Sequence, residues 1–305
     1  MRIGLINELH GRPDGDSIAP NWESISDRAG RAEAAGFDSF VFEDALMYRG
    51  EEHTDGVWES FAIAAALAAV TETIHIGQSV VNSPYRSPAM TASIVTTLDD
   101  ISGGRYIFGI GAGNTPDSDY EAFGFPTGRR YSRFAEAIQI IHGLLKVGEF
   151  DFEGEFYSAT KAELVLRGPH PQGPPINIAA GGPRMLELAA RYGDEWNWWV
   201  YDESLEASKG RLGPILAGLE SALSEHGRES SSLIRTLDLY SIVPEGLSVD
   251  APGERKPITG SVGEIAEHIL GLGEMGFEEV RCDLLPSTAE AIEAMKPVVD
   301  RVHAG

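Results

Sequence analysis

Between Pro175 and Trp196, an apolar run, Ile176-Asn177-Ile178-Ala179-Ala180, breaks on Gly181-Gly182-Pro183 and resumes with helical spacing from Arg184 to Tyr192. This order of residues can hold an anion. Glycine lets a backbone come close to a ligand, and proline suits a first helical turn, where no N–H is needed. The free N–H groups and positive dipole end of the new helix then favour a phosphate. An ordinary strand-to-helix turn uses the same residues, so the motif alone leaves both readings open.

Other chemistries find less support. Glu43 and Asp44 are neighbours, and on an extended strand they point to opposite faces, so a carboxylate dyad would need a partner from elsewhere. His10, His53 and His75 lack metal-ligand spacing, and no metal site is expected. No nucleophile-elbow motif marks a serine hydrolase. The single cysteine, Cys282, lies in an apolar strand pattern and reads as a buried, inert thiol.

The 305 residues carry 24 basic and 47 acidic side chains, a formal charge of −23. Such a surface repels nucleic acid and anionic membranes, so neither is expected as a partner. The start, Met1-Arg2-Ile3-Gly4-Leu5-Ile6, reads as a strand and not a signal peptide. Phe61–Val70 is too short for a membrane span. A cytoplasmic enzyme or binding protein is the expectation.

The elements that must position these residues alternate along the chain. Strands are expected at Ile3–Ile6, Ser39–Phe42, Ile74–Val81, Tyr106–Ile110, Ile176–Ala180, Trp196–Val200, Leu237–Val243 and Val280–Leu285. Helices are expected at Asn21–Ala35, Glu59–Val70, Pro88–Ile101, Tyr131–Lys146, Pro183–Tyr192, Leu205–Glu225, Val262–Met275 and Ala289–Val302. Eight strand–helix pairs predict an α/β fold, a (β/α)8 TIM barrel with insertions, as a single domain over 1–305. An open doubly wound sheet is the competitor, but the loop after Ile6 lacks its glycine fingerprint. An insertion at about 148–175 is expected as a hairpin over the barrel mouth, and 245–257 as a mobile loop. At the C-terminal strand ends lie Glu43-Asp44-Ala45, Ser79 to Asn82, Gly111 to Asn114, Gly181-Gly182 and Asn197-Trp198-Trp199. These small residues, amides and aromatics suit a flat ligand. At least one of the three tryptophans, Trp196, Trp198 and Trp199, is expected in the core.

Several motifs in order carry a resemblance. Ile76-Gly77-Gln78-Ser79-Val80-Val81-Asn82-Ser83-Pro84-Tyr85-Arg86-Ser87-Pro88, then Thr97 to Gly113, resembles the bacterial-luciferase-like superfamily. Gly36-Phe37-Asp38-Ser39 leading to Asp44, Phe123-Gly124-Phe125-Pro126, Phe152-Glu153-Gly154 and Ala180-Gly181-Gly182-Pro183 match at their places. The likeness is strong over residues 1 to 200 and weak beyond. It implies a luciferase-like barrel that binds FMN or the deazaflavin F420. It also implies a non-proline cis peptide at Ser79-Val80, in a bulge that backs the ring.

On this resemblance Ser79, Val80 and Asn82 are assigned to the ring face, and Asp44 and Gly113 to polar ring contacts. Ala180, Gly181, Gly182 and Arg184 are assigned to the phosphate, and Asn114, Trp58, Tyr85 and His10 are substrate-side candidates. The glycine pair, Asp44 and the alanine at 112, where the luciferases resemble an arginine, favour F420, with FMN as alternative. Ala45 and Asn114 stand where F420-dependent dehydrogenases carry histidine and glutamate, so their acid–base pair is missing. The expected function is hydride transfer to or from a small organic substrate, in a protein that pairs as a homodimer. An FMN-dependent monooxygenase served by a flavin reductase is the alternative. A non-catalytic flavin-binding protein and, more weakly, a cofactor-free enzyme acting on phosphorylated sugars stand behind it.

Overall fold

The computed structural model describes residues 1–14, 18–50, 52–113, 118–201, 204–248 and 256–305. Eight parallel strands close into a barrel: β1 (Arg2–Asn7), β2 (Ser39–Phe42), β3 (His75–Asn82), β4 (Tyr106–Gly111), β5 (Ile176–Ala179), β6 (Glu195–Val200), β7 (Ile234–Ile242) and β8 (Glu279–Leu284). Each pairs with its neighbour in sequence order, and β8 returns to β1, with Leu5 opposite both Phe40 and Cys282. The open-sheet alternative is thereby excluded. The outer helices are α1 (Trp22–Ala35), α2 (Ser60–Val70), α3 (Pro88–Ile101), α4 (Arg130–His142), α5 (Pro183–Tyr192), α6 (Leu205–Glu225), α7 (Val262–Gly273), α8 (Ala289–Ala294) and α9 (Lys296–Ala304).

Local chemistry explains the boundaries. The Asn21 side chain caps α1 by accepting from Ser24 N–H, and Ser261 with Glu264 closes a capping box on α7. The single helix expected over Ala289–Val302 is two, α8 and α9, because Pro297 has no N–H to continue the ladder past Met295. β7 starts at Ile234, three residues before its expected start, since Ile234-Arg235-Thr236 are too polar to read as a buried run.

Apolar side chains such as Ile3, Phe40, Phe108 and Trp196 are fully buried. The barrel interior nevertheless holds a charged layer. Arg281 is wholly enclosed between Glu279 and Asp238, and Glu279 also bonds to Ser39. Buried charges persist when paired and hydrogen-bonded in this way.

Two additions decorate the barrel. A small antiparallel sheet of His10–Gly11, Met47–Arg49 and Thr54–Val57 joins the loops after β1 and β2 at the C-terminal end. The 148–175 segment does contain a hairpin, Glu149–Glu153 with Ser158–Glu163. It lies along α4 instead of over the mouth: Phe150 packs at Gly143, and the turn donates Glu155, Phe156 and Tyr157 N–H groups to Glu136. These bonds, with Phe150 packed at Gly143, hold it to the flank. Of the expected mobile loop, residues 249–255 lie outside the described residues. Among the described residues no helix is long and apolar enough to cross a membrane.

Candidate active site

A cavity of about 450 Å³ opens at the C-terminal strand ends, the size of a small-ligand site. Its floor is the β3 bulge, where the register against β4 shifts between Gln78 and Val81 and the Ser79-Val80 peptide is cis. Val80 and Val81 present apolar surface there, while Gly111, Ala112, Gly113, Ala179, Gly181 and Gly182 keep the walls low. Trp198 and Trp199 form the far wall, stacked with centroids 5.7 Å apart. Trp196, the third tryptophan, is fully buried in the core and donates to Ala180 O at 2.7 Å.

The two glycines have different reasons. A Cβ at Gly181 would fall inside the Trp198 indole, so only glycine lets that ring lie flat against the chain. Gly182 is extended, φ −95°, and a Cβ there would meet nothing. Its role is therefore open space, not a left-handed conformation. It sits at the N-cap of α5 without a capping side chain, and no described group accepts from the Gly181 or Gly182 N–H. Unpaired N–H groups at a helix start facing a cavity fit a phosphate.

Beneath the bulge lies a polar cluster. Ser79 Oγ donates to Asp238 Oδ2 at 2.7 Å, and Asn197 Nδ2 donates to both Ser79 Oγ and Asp238 Oδ2 at 3.2 Å. Asp238 Oδ1 is buried without a hydrogen bond among the described residues, and burial pushes this carboxyl up to about 6. Asp238 and Tyr240 both line the cavity and were missed in the sequence. The available signal was period two: Thr236, Asp238 and Tyr240 alternate along one strand, which faces them to the barrel interior.

Asp44 lies in the cavity wall, but its carboxylate is already occupied. It accepts from Ser60 Oγ (2.7 Å), Asn82 N–H (2.8 Å) and both Arg86 Nη atoms (2.7 and 2.9 Å). Four donors fill it, so Asp44 anchors the bulge from within the cavity wall. Asn82 lines the cavity with its Oδ1 accepting from Tyr120 Oη at 2.8 Å. Gly113 takes φ +96° beside the same two residues, where a side chain would collide with the Tyr120 hydroxyl.

Five other expected residues lie outside the cavity lining. Arg184 is exposed and packs on Tyr131, its guanidinium 3.6 Å from the ring centroid. Trp58 turns outward and donates to Pro20 O at 2.7 Å. Tyr85 is buried and donates to Asp119 Oδ2 at 2.8 Å, which draws its hydroxyl from the mouth. Ala180 is buried in the turn. His10 stands behind Glu43 and Tyr48, both of which line the cavity. Asn114 lies outside the described residues. Cys282 is fully buried, and burial raises its thiol far above reactivity.

The cavity thus offers an apolar floor for a flat ring, amides and hydroxyls at its edge, and a helix N-terminus for a phosphate. A ribityl-phosphate flavin or deazaflavin fits this donor set. Among the described residues no three His, Cys, Asp or Glu side chains converge as a metal site.

Comparison with known proteins agrees with this geometry. The chain is 39% identical over 163 residues to a 5,10-methylenetetrahydromethanopterin reductase of Archaeoglobus fulgidus, covering 53% of this chain and 45% of that protein. The match therefore spans less than half of that relative. An F420-dependent glucose-6-phosphate dehydrogenase of Kineococcus radiotolerans is 30% identical over 248 residues, 76% of this chain and 69% of the relative. In fold, an F420-dependent secondary alcohol dehydrogenase, solved with an F420-acetone adduct, superposes with a TM-score of 0.80 at 18% identity, covering 99% of this chain and 98% of that one. The family model for luciferase-like monooxygenases matches residues 1–245, and the chain belongs to that family.

Proposed function

We propose that this chain is an F420-dependent oxidoreductase acting on a small organic molecule at the barrel mouth. The observation that carries this is the joining, in one cavity, of the Ser79-Val80 floor with the uncapped helix start at Gly182. Val80 and the low glycine walls would bind the ring, and Ser79, Asn82 and Asn197 would orient its polar edge. Gly181 and Gly182 N–H groups would hold the phosphate. Once bound, F420 supplies hydride transfer, the chemistry that protein side chains lack.

F420 is preferred to FMN for two reasons. The phosphate position carries glycines without hydroxyl or guanidinium side chains, and the relatives at 39% and 30% identity include one named for F420. In a protein of charge −23, Arg184 opens α5 directly after the Gly182 turn and packs on Tyr131 of α4. It would receive the anionic tail of F420. An FMN-dependent monooxygenase supplied by a flavin reductase is the second reading, favoured by the description of the family model. The expected location is the cytoplasm, and the alanine-rich, partly exposed α2 is the expected seam of a homodimer.

Turnover tests the proposal. Purified protein given reduced F420 and a panel of carbonyl and enone acceptors should oxidise the cofactor catalytically. Tight F420 binding without oxidation or reduction by any acceptor or donor would instead mark a carrier. Turnover only with reduced FMN and oxygen would favour the monooxygenase.

A further inference from the structure

Ala45 leaves the position after β2 without a histidine, yet a different histidine–glutamate pair stands beside it. Glu43 directly follows β2 and lines the cavity. Its Oε1 accepts from Leu9 N–H and meets His10 Nδ1, each at 2.9 Å. Its Oε2 has no partner among the described residues and is not an enclosed atom, so it is the half of the carboxylate open to a ligand. The His10 ring is held edge-on to Tyr48, centroids 5.0 Å apart, and its side chain keeps 27% of its surface exposed. Imidazole therefore links Glu43 to solvent.

We propose that Glu43 is the proton donor and acceptor of this site, with His10 as the positioning residue that recharges it, and that the substrate is a small ketone or aldehyde or its alcohol. This rests on the redox reading above. In the reducing direction the carbonyl π bond breaks. Its carbon gains a hydride from the reduced deazaflavin or flavin, which is oxidised, and its oxygen gains the proton of Glu43 Oε2. Glu43 recovers a proton at Oε1 from the His10 imidazolium, a half-turn of the carboxyl brings that proton to the open oxygen, and solvent reprotonates the imidazole. The reverse sequence oxidises an alcohol.

The surroundings favour the charged form of His10. Its hydrogen bond to Glu43, and the carboxylates of Glu43, Glu8 and Asp55, raise it above the usual imidazole value against the opposing effect of burial. Asp283 lies within electrostatic reach as well, and Arg28 faces Glu8 while Arg12 and His53 pair with Asp55. Burial raises Glu8 as well.

Three measurements on the full chain and its Glu43→Gln, Glu43→Gly and His10→Gln variants decide the matter. Fluorescence titration gives F420 affinity, and imidazole NMR gives the His10 titration in the free protein. Steady-state assays use reduced F420 with cyclohexanone, cyclohex-2-enone and benzaldehyde. In the wild type, His10 should titrate above 6.5 and kcat should fall as pH rises through that value. Glu43→Gln should lower kcat about a hundredfold, within the range for a lost acid–base group, with F420 affinity nearly unchanged. The same change should bring the His10 titration down. His10→Gln should move the fall in kcat to lower pH, and formate should partly restore activity to Glu43→Gly. A His10 titration indifferent to Glu43→Gln, an unshifted pH profile in His10→Gln, or no turnover of these carbonyls by protein that binds F420 would each overturn the pair. Wild-type protein that binds neither F420 nor FMN would remove the redox reading itself, and the pair with it.

Discussion

Gly181 and Gly182 are adjacent and identical in type, but they should fail in different ways when replaced. Valine at 181 drives its branches into Trp198, so Gly181→Val should lose both stability and cofactor. Valine at 182 meets no protein atom, so Gly182→Val should melt like the wild type while binding F420 at least tenfold more weakly. Thermal melts beside titrations separate the two, and full affinity in a folded Gly182→Val protein would remove the phosphate from this turn. Asp283 makes a second residue-level test. Burial pushes it up to about 7, with Glu8 and Glu43 adding to the effect, although it accepts from Ser241 N–H. A carboxyl raised in the folded state keeps its proton where the unfolded chain, with a value near 3.9, has lost it. Stability should therefore fall as pH climbs from about 4 to about 7. Asp283→Asn, which keeps an acceptor for Ser241, should be more stable than wild type at pH 8 by on the order of 1–3 kcal/mol, with no gain at pH 4. Chemical denaturation at the two pH values checks this, and an equal difference at both would count against it.

At the scale of elements, Asp44 is the clamp of the site: it ties the end of β2 to the β3 backbone at Asn82, to Ser60 at the start of α2 and to Arg86. Asp44→Ala leaves Arg86 beside Glu59 alone and strips the two other partners, Ser60 and Asn82, so it should cost about 3–5 kcal/mol of stability, as removal of one member of a buried pair does. A loss below about 1 kcal/mol in urea unfolding would show that the clamp does not hold the bulge. The same residue shows what a sequence can reveal. Barrel strands were legible because apolar runs alternate with amphipathic ones, and β2 and the expected start of α3 needed no correction. Asp44 was legible as a site residue too, but its task was not, because Asn82 and Arg86 meet it only after three elements fold together. The sheet of His10–Gly11, Met47–Arg49 and Thr54–Val57 was invisible for another reason: its strands are two to four residues long, mostly polar, and lack alternation. It carries Tyr48 to the cavity wall and His10 behind it. Asp238 and Tyr240 were hidden in β7 between Leu237, Leu239 and Ile242, where polar side chains facing the barrel axis join Ser79, Asn197 and Arg281 from distant strands.

For the whole molecule, charge and cavity make opposed demands. A surface of −23 disfavours any anionic cofactor at long range, so the ring cavity and helix start must bind locally while Arg184 at the start of α5 receives a tail. Exposed tail contacts are screened by salt, whereas the enclosed ring and phosphate contacts are not. Affinity for F420 with a long glutamyl tail should thus fall several-fold as ionic strength rises, and affinity for its tailless deazaflavin core should change little. Equal salt dependence of the two would place the tail away from Arg184. The central claim is that the cavity above Ser79-Val80 holds a deazaflavin, and side-by-side fluorescence titration of the apo-protein with F420 and with FMN tests it most directly. The account predicts saturable, micromolar or tighter binding of F420 and markedly weaker binding of FMN. Nanomolar-to-micromolar FMN binding with no measurable F420 binding would contradict it.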